Sequence, residues 1–183
     1  FKQIEIPTHE LTGYTEISER ALSRSAIPLE GLLVALFKPA LAFTIDNAIL
    51  NGTGVGQPLG IIPDPGVRVV ARQAAGTVSD TDLVNLKHAV KPAHRANAVF
   101  AISDSVEHAL ENTVDTLGRP LFRASTANGP YDRLVGYPYE VAPNCPAIGT
   151  RGDVVFGAPK WYFLVMEEEV TVASSADYRF RNN

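Results

Sequence analysis

Between Pro28 and Leu50 the sequence commits to one long helix. Leu29, Leu32, Leu33, Leu36, Phe37, Ala40, Leu41, Ala48 and Ile49 fall largely at steps of three and four, the spacing that places side chains on one helical stripe. Pro28 suits a first-turn position, where its missing N–H costs nothing. At about 1.5 Å per residue the helix spans roughly 35 Å, against a radius of gyration near 16 Å for a compact domain of this size. The spacing therefore predicts an elongated molecule or a protruding spine. Pro39 lies inside the run, removes one backbone bond and crowds the preceding turn, so a kink or a break into two helices is expected there. Glu30, Lys38 and Asp46 interrupt the apolar residues and argue against a membrane span.

Composition narrows the function classes. The 183 residues are 45% hydrophobic and 20% charged, so the chain can build a core and is not a disordered tail. A net charge of -4 argues against a broad basic face for nucleic acid. The single cysteine, Cys145, excludes an internal disulfide framework and fits a reducing compartment. Phe1 to Ile6 lack the order of a signal peptide, and no uninterrupted apolar run of about 18 residues is present, so the chain reads as soluble and intracellular. It starts without methionine on a strand-like segment, as a fragment or a processed product does.

The remaining elements are short. Residues 1–8 alternate as a half-buried strand, and Ser18 is placed to cap a helical turn through Leu22. The long helix stops at Asn51-Gly52, and Gly52, Gly54, Gly56, Pro58 and Gly60 form a turn-rich loop before Ile61. Val67 to Val70 is a candidate strand, and composition shifts near Ala74 to Thr77. Beyond it the pattern is α/β. Ser79 with Asp82 predicts a capping box ahead of Leu83, Leu86, Ala89 and Val90, with a stop at Pro92. Ala98 to Ile102 reads as a buried strand, and Ser103 as the cap of a helix that turns Val106, Ala109, Leu110 and Val114 inward and ends by Gly118 and Pro120. Leu121-Phe122, Leu134-Val135, Tyr137 to Val141 and Val154 to Phe156 read as strands around an Asn128-Gly129 turn. Trp161 to Met166 and Val170 to Val172 are further strands, joined near Glu167, Glu168 and Glu169.

In the glycine loop, Gly52 and Gly54 need a third glycine where Gln57 stands, and Gly54 and Gly56 need one where Leu59 stands. The loop follows a helix instead of a strand, so a structural turn is favoured over a phosphate site. Cys145, between Asn144 and Pro146, has no local signature of a nucleophile and reads as a loop cysteine. His9, His88, His94 and His108 are scattered without the spacing of a helical zinc site. The run Glu167 to Glu169 alternates sides along an extended chain, as at a solvated hairpin end or an inter-subunit charge contact. No Gly-x-Ser-x-Gly elbow is present. No catalytic, cofactor-binding or metal-binding residue is assigned.

The order of the pieces resembles the major capsid (head) proteins of tailed bacteriophages. The similarity rests on Ser18, Glu19 and Leu22, the long helix, the loop Asn51-Gly52-Thr53-Gly54-Val55-Gly56-Gln57-Pro58-Leu59-Gly60-Ile61, and the segments Asp115 to Phe122, Leu134 to Pro138 and Val155 to Gly157. The resemblance implies an α+β fold of two lobes. A peripheral domain, residues 1–75 and 158–183, would hold the spine helix 28–50 and a long-stranded sheet; an axial mixed α/β domain would take residues 76–157. Such subunits form hexamers and pentamers of an icosahedral shell, without catalysis or cofactors. Their partners would be copies of the chain, scaffold or portal proteins and, non-specifically, packaged DNA, but no membrane. Assembly would take place in the bacterial host cytoplasm, with the virion as destination. The N-terminal arm and extended loop of the family have no counterpart, nor have the strands expected beyond Asn183, so a core fragment is expected. The family's lysine–asparagine cross-link is not carried over to Asn182 or Asn183, because the loop lysine and the downstream acid are missing. Encapsulin-like nanocompartment shells share this fold and form the nearest alternative. More distant are an α/β enzyme using Cys145 or the glycine loop, and a small-ligand binding module.

Overall fold

A computed structural model of the chain describes residues 8–17, 29–114, 122 and 133–165. Expectations that fall on residues 1–7, on the Ser18 turn, on Leu121, on Asn128-Gly129, on Gly118 and Pro120, on Met166 and the segments beyond it, including Glu167 to Glu169, and on Asn182 and Asn183 lie outside these residues.

Helix α1 spans Leu29–Asn51 and runs unbroken through Pro39. The break expected at Pro39 does not occur. Pro39 is exposed, so its ring sits on an open side, and the turns on either side carry the helix across one missing bond. Apolar residues ring much of the helix, and they are open: Leu36 is 59% exposed and Phe43 53%. The reading that charge interrupts it too often for a bilayer also needs correction. Gly31–Asn51 has a mean hydropathy of 1.6 and is long and apolar enough to cross a membrane by length and composition, since only Lys38 and Asp46 carry charge within it.

Residues 61–78 form no strand. Val67 and Val69 are exposed and pair with no strand among the described residues; an Asx turn bends the chain instead, with the Gly66 N–H donating to Asp64 Oδ1 at 2.7 Å.

The α/β part begins with helix α2, Asp80–Ala89. Its predicted capping box is present: the Asp82 N–H donates to Ser79 Oγ, and the Ser79 N–H donates back to Asp82 Oδ2 at 3.0 Å. A 3-10 turn, Pro92–His94, leads to strand β1, Val99–Ile102. Helix α3, Asp104–Glu111, follows. Ser103 occupies its N-cap position without a side-chain capping bond, its hydroxyl lying 3.0 Å from that of Ser105. The helix ends at Glu111, short of the expected Gly118, and Val114 is 55% exposed instead of inward.

Strands β2, Arg133–Leu134, and β3, Tyr137–Val141, form a hairpin over Val135 and Gly136. Val135 was expected in a strand; it turns at φ 51° with Gly136 at φ 87°, matching the twist that two-residue hairpins need. Strand β4 is Val154–Gly157. The sheet order is β2-β3-β1-β4, with β1 parallel to β3 and antiparallel to β4. A second 3-10 turn, Pro159–Trp161, follows, and residues 162–165 are exposed and belong to no strand. The Trp161 strand expectation fails because Pro159 starts a turn there.

Phe100, Leu83, Ile102 and Val106 are fully buried at the centre of the core. Phe100 meets Phe156 across the β1–β4 pair at 4.3 Å between ring centroids. Among the described residues every core residue lies between Val78 and Ala158, so α2, α3 and the sheet bury one another and α1 adds none of its described residues to this core.

Candidate functional site

The glycine loop is a backbone clasp on the end of α1. The Gly52 N–H still donates to the Ala48 carbonyl at 3.0 Å, and the chain then swings out and returns. On return, the Gly60 N–H donates to the Gly52 carbonyl at 2.8 Å, and the Ile61 and Ile62 N–H groups donate to the Ile49 and Leu50 carbonyls at 2.9 Å each. These are carbonyls that a helix end leaves without partners. The approach is close enough to demand glycine: a Cβ on Gly52 would stand 2.1 Å from the Pro58 oxygen, and one on Gly60 2.5 Å from the Gly52 nitrogen. The Gly60, Ile61 and Ile62 N–H groups thus close the end of the helix.

Asn51 ties this clasp to the α/β part. Its side-chain amide donates to the Asn144 carbonyl at 2.7 Å. A second tie runs through Arg72, whose guanidinium pairs with Asp153, a residue 2% exposed. The other Asp153 oxygen accepts the Gly149 N–H at 2.8 Å. Asp82 accepts from the Ser79 hydroxyl at 2.8 Å and from the Gln73 N–H at 3.1 Å. Burial acts to raise the Asp82 pKa, but the Ser79 hydroxyl and N–H, the Gln73 N–H and the Arg72 charge outweigh it and hold the carboxyl below its ordinary value. Neither the Arg72–Asp153 pair nor the Gln73 bond was anticipated, because nothing in sequence spacing joins residues so far apart.

Cys145 is buried in the loop after β3. Burial, with the Asp153 charge second, pushes its thiol up from the ordinary value, so it is held protonated and poor as a nucleophile. His9, His88, His94 and His108 are all exposed. Among the described residues, no group of histidine, cysteine or acidic side chains is placed to hold a metal ion. A shallow cleft of roughly 100 Å³ lies between Ala93, His94, Ala96, Ala158, Lys160 and Trp161, where the His94 and Trp161 rings meet edge to face at 5.0 Å.

What the described surface offers in quantity is apolar area. Leu32, Leu36, Phe43, Val69, Trp161 and Phe163 are each 46% or more exposed, an arrangement suited to contact with other protein surfaces.

The model of the phage capsid family matches residues 1–183. The chain belongs to that family. No curated protein matches the capsid chain in sequence. It is similar to two solved capsid structures. One is the capsid of a native GTA particle computed with C5 symmetry, at 30% identity and a TM-score of 0.71 over 81% of this chain. The other is the capsid of an empty GTA particle, at 30% identity and a TM-score of 0.70 over 81%. The α+β capsid fold implied by the helix and glycine loop is thus the fold found. The chain spans 55% and 56% of the lengths of those two capsid chains.

Proposed function

We propose that this chain is the central part of a major capsid protein of a tailed phage or prophage, a structural subunit that assembles with copies of itself into hexamers and pentamers of an icosahedral head. The observation that carries this reading is the likeness at 30% identity, over 81% of the chain, to a capsid chain of a GTA particle. The exposed apolar residues of α1 and of residues 161–165 support it, as surface for neighbouring chains or for the rest of the subunit. The protein acts by assembly and not by catalysis, and the protonated, buried Cys145 favours that view.

Within the subunit, residues 76–157 act as the axial domain and residues 1–75 and 158–183 as the peripheral one. The core, confined between Val78 and Ala158, supports that division. Scaffold and portal proteins and non-specifically held DNA are its further partners, and assembly occurs in the host cytoplasm; α1 serves as a spine within protein, not as a bilayer span. Electron microscopy of the full-length protein tests the reading. Closed shells or capsomer rings are expected, and a monomer at every concentration overturns it.

A further inference from the structure

Five cations gather on one surface around the last turn of α2. Arg68 donates to the Ala89 carbonyl at 3.3 Å, and Arg95 donates to the Val90 carbonyl at 2.7 Å. Lys87 stands 5.3 Å from the centre of the Tyr137 ring. Lys91 opens the 3-10 turn that carries His94, and Lys160 shares a cleft with His94 and Trp161. The two arginines complement the partial negative charge of the helix end, but about half an elementary charge does not account for five cations. None of the five forms an ion pair among the described residues, where the pair found is Arg72–Asp153. The segments that build the surface, residues 65–72, 86–98 and 154–165, contain no aspartate or glutamate.

We propose that this basic, aromatic-rimmed surface docks on an acidic face of a second copy of the chain. This rests on the shell reading above. Charge complementarity argues for that occupant. With these five set aside, the remaining eleven basic residues face twenty acidic ones, a balance of -9. Outside this surface the described residues hold twelve acids against four bases, Lys38, Arg72, Arg133 and Arg151, so acid predominates on the rest of the described part of a copy. Symmetry points the same way. In a closed ring of identical copies each contact joins two different faces, so base meets acid, whereas a two-fold contact at this surface would set cation against cation. Trp161, 59% exposed, is also a residue type that protein interfaces favour.

The test uses the full-length protein and its K91E/K160E variant, with K91Q/K160Q as the milder change. Neither lysine side chain makes a hydrogen bond within the described fold, so thermal melting is expected to be unchanged. Assembly is followed by sedimentation at increasing NaCl, with binding of a short DNA duplex measured alongside. We expect the concentration needed for assembly to rise about tenfold in K91E/K160E and by less in K91Q/K160Q, the differences shrinking at about 1 M salt, where screening is complete within about 3 Å. Variants that assemble like the parent at every salt concentration overturn the proposal and leave the shell reading standing. Normal assembly with lost duplex binding overturns it in favour of a nucleic-acid surface. A parent that never assembles removes the shell reading itself, and this proposal with it.

Discussion

A single atom decides the fate of several glycines in this chain. Gly52 and Gly31 look alike in sequence, each beside an apolar helical stretch, yet a Cβ on Gly52 would strike the Pro58 and Ala48 oxygens while one on Gly31 meets nothing within 4 Å. Gly52→Ala is expected to destabilise the protein by about 1–3 kcal/mol, as overpacking does. Gly31→Ala in the first turn of α1 is expected to stabilise it by less than about 1 kcal/mol. Paired thermal melts check both signs. The sequence marked residues 52–60 as a flexible turn, which was right about Gly54 and Gly56 with their positive φ. It could not show why Gly52 and Gly60 are glycine, because that reason lies in two strands of backbone touching after the chain has doubled back. Cys145 shows the same limit: its thiol is pushed up by burial and by the Asp153 charge, neither of which spacing encodes.

At the scale of elements, devices that close within a few residues were legible. The Ser79–Asp82 capping box is three residues long and was readable as such; the added acceptance from the Gln73 N–H was not. This carboxylate makes stability depend on pH. Its pKa is lower folded than unfolded, so its contribution is present above its ordinary value of 3.8 and is lost as pH falls through the folded value. Denaturant midpoints measured downward from pH 6 are expected to fall below about pH 4, and Asp82→Asn is expected to start lower and to flatten that limb. Strands were harder to read. Val67 to Val70 and Trp161 to Met166 carry strand-forming residues, but a strand needs a neighbour to pair with, and pattern alone does not supply one. Tyr137 to Val141 was readable and also found its partners in β1 and β2.

For the whole molecule, stability and assembly draw on different residues. Phe100 is wholly buried and Leu36 is 59% exposed, though both are large and apolar. Phe100→Ala is expected to cost about 3–5 kcal/mol and to unfold the α/β part. Leu36→Ala is expected to change the melting of the isolated chain by less than about 0.5 kcal/mol. Equal losses, read by the same thermal scan, would place α1 in a folded core after all. The family was recognisable from the order of helix and glycine loop, since those features are local. The ties between Arg72 and Asp153 and between Asn51 and Asn144 were not, since each joins segments about 80 to 90 residues apart.

The sheet order has a consequence in time. Strand β1 is central, yet both of its neighbours are made after it, and β4 ends 55 residues beyond Ile102. At a synthesis rate of about 5–20 residues per second, roughly 3–11 s separate the two. Throughout that interval the nascent chain carries Phe100 and Ile102 with no finished sheet to receive them. The ribosome therefore releases the centre of the sheet before the strand that completes its shelter, so the yield of soluble subunit depends on what keeps nascent chains apart during those seconds.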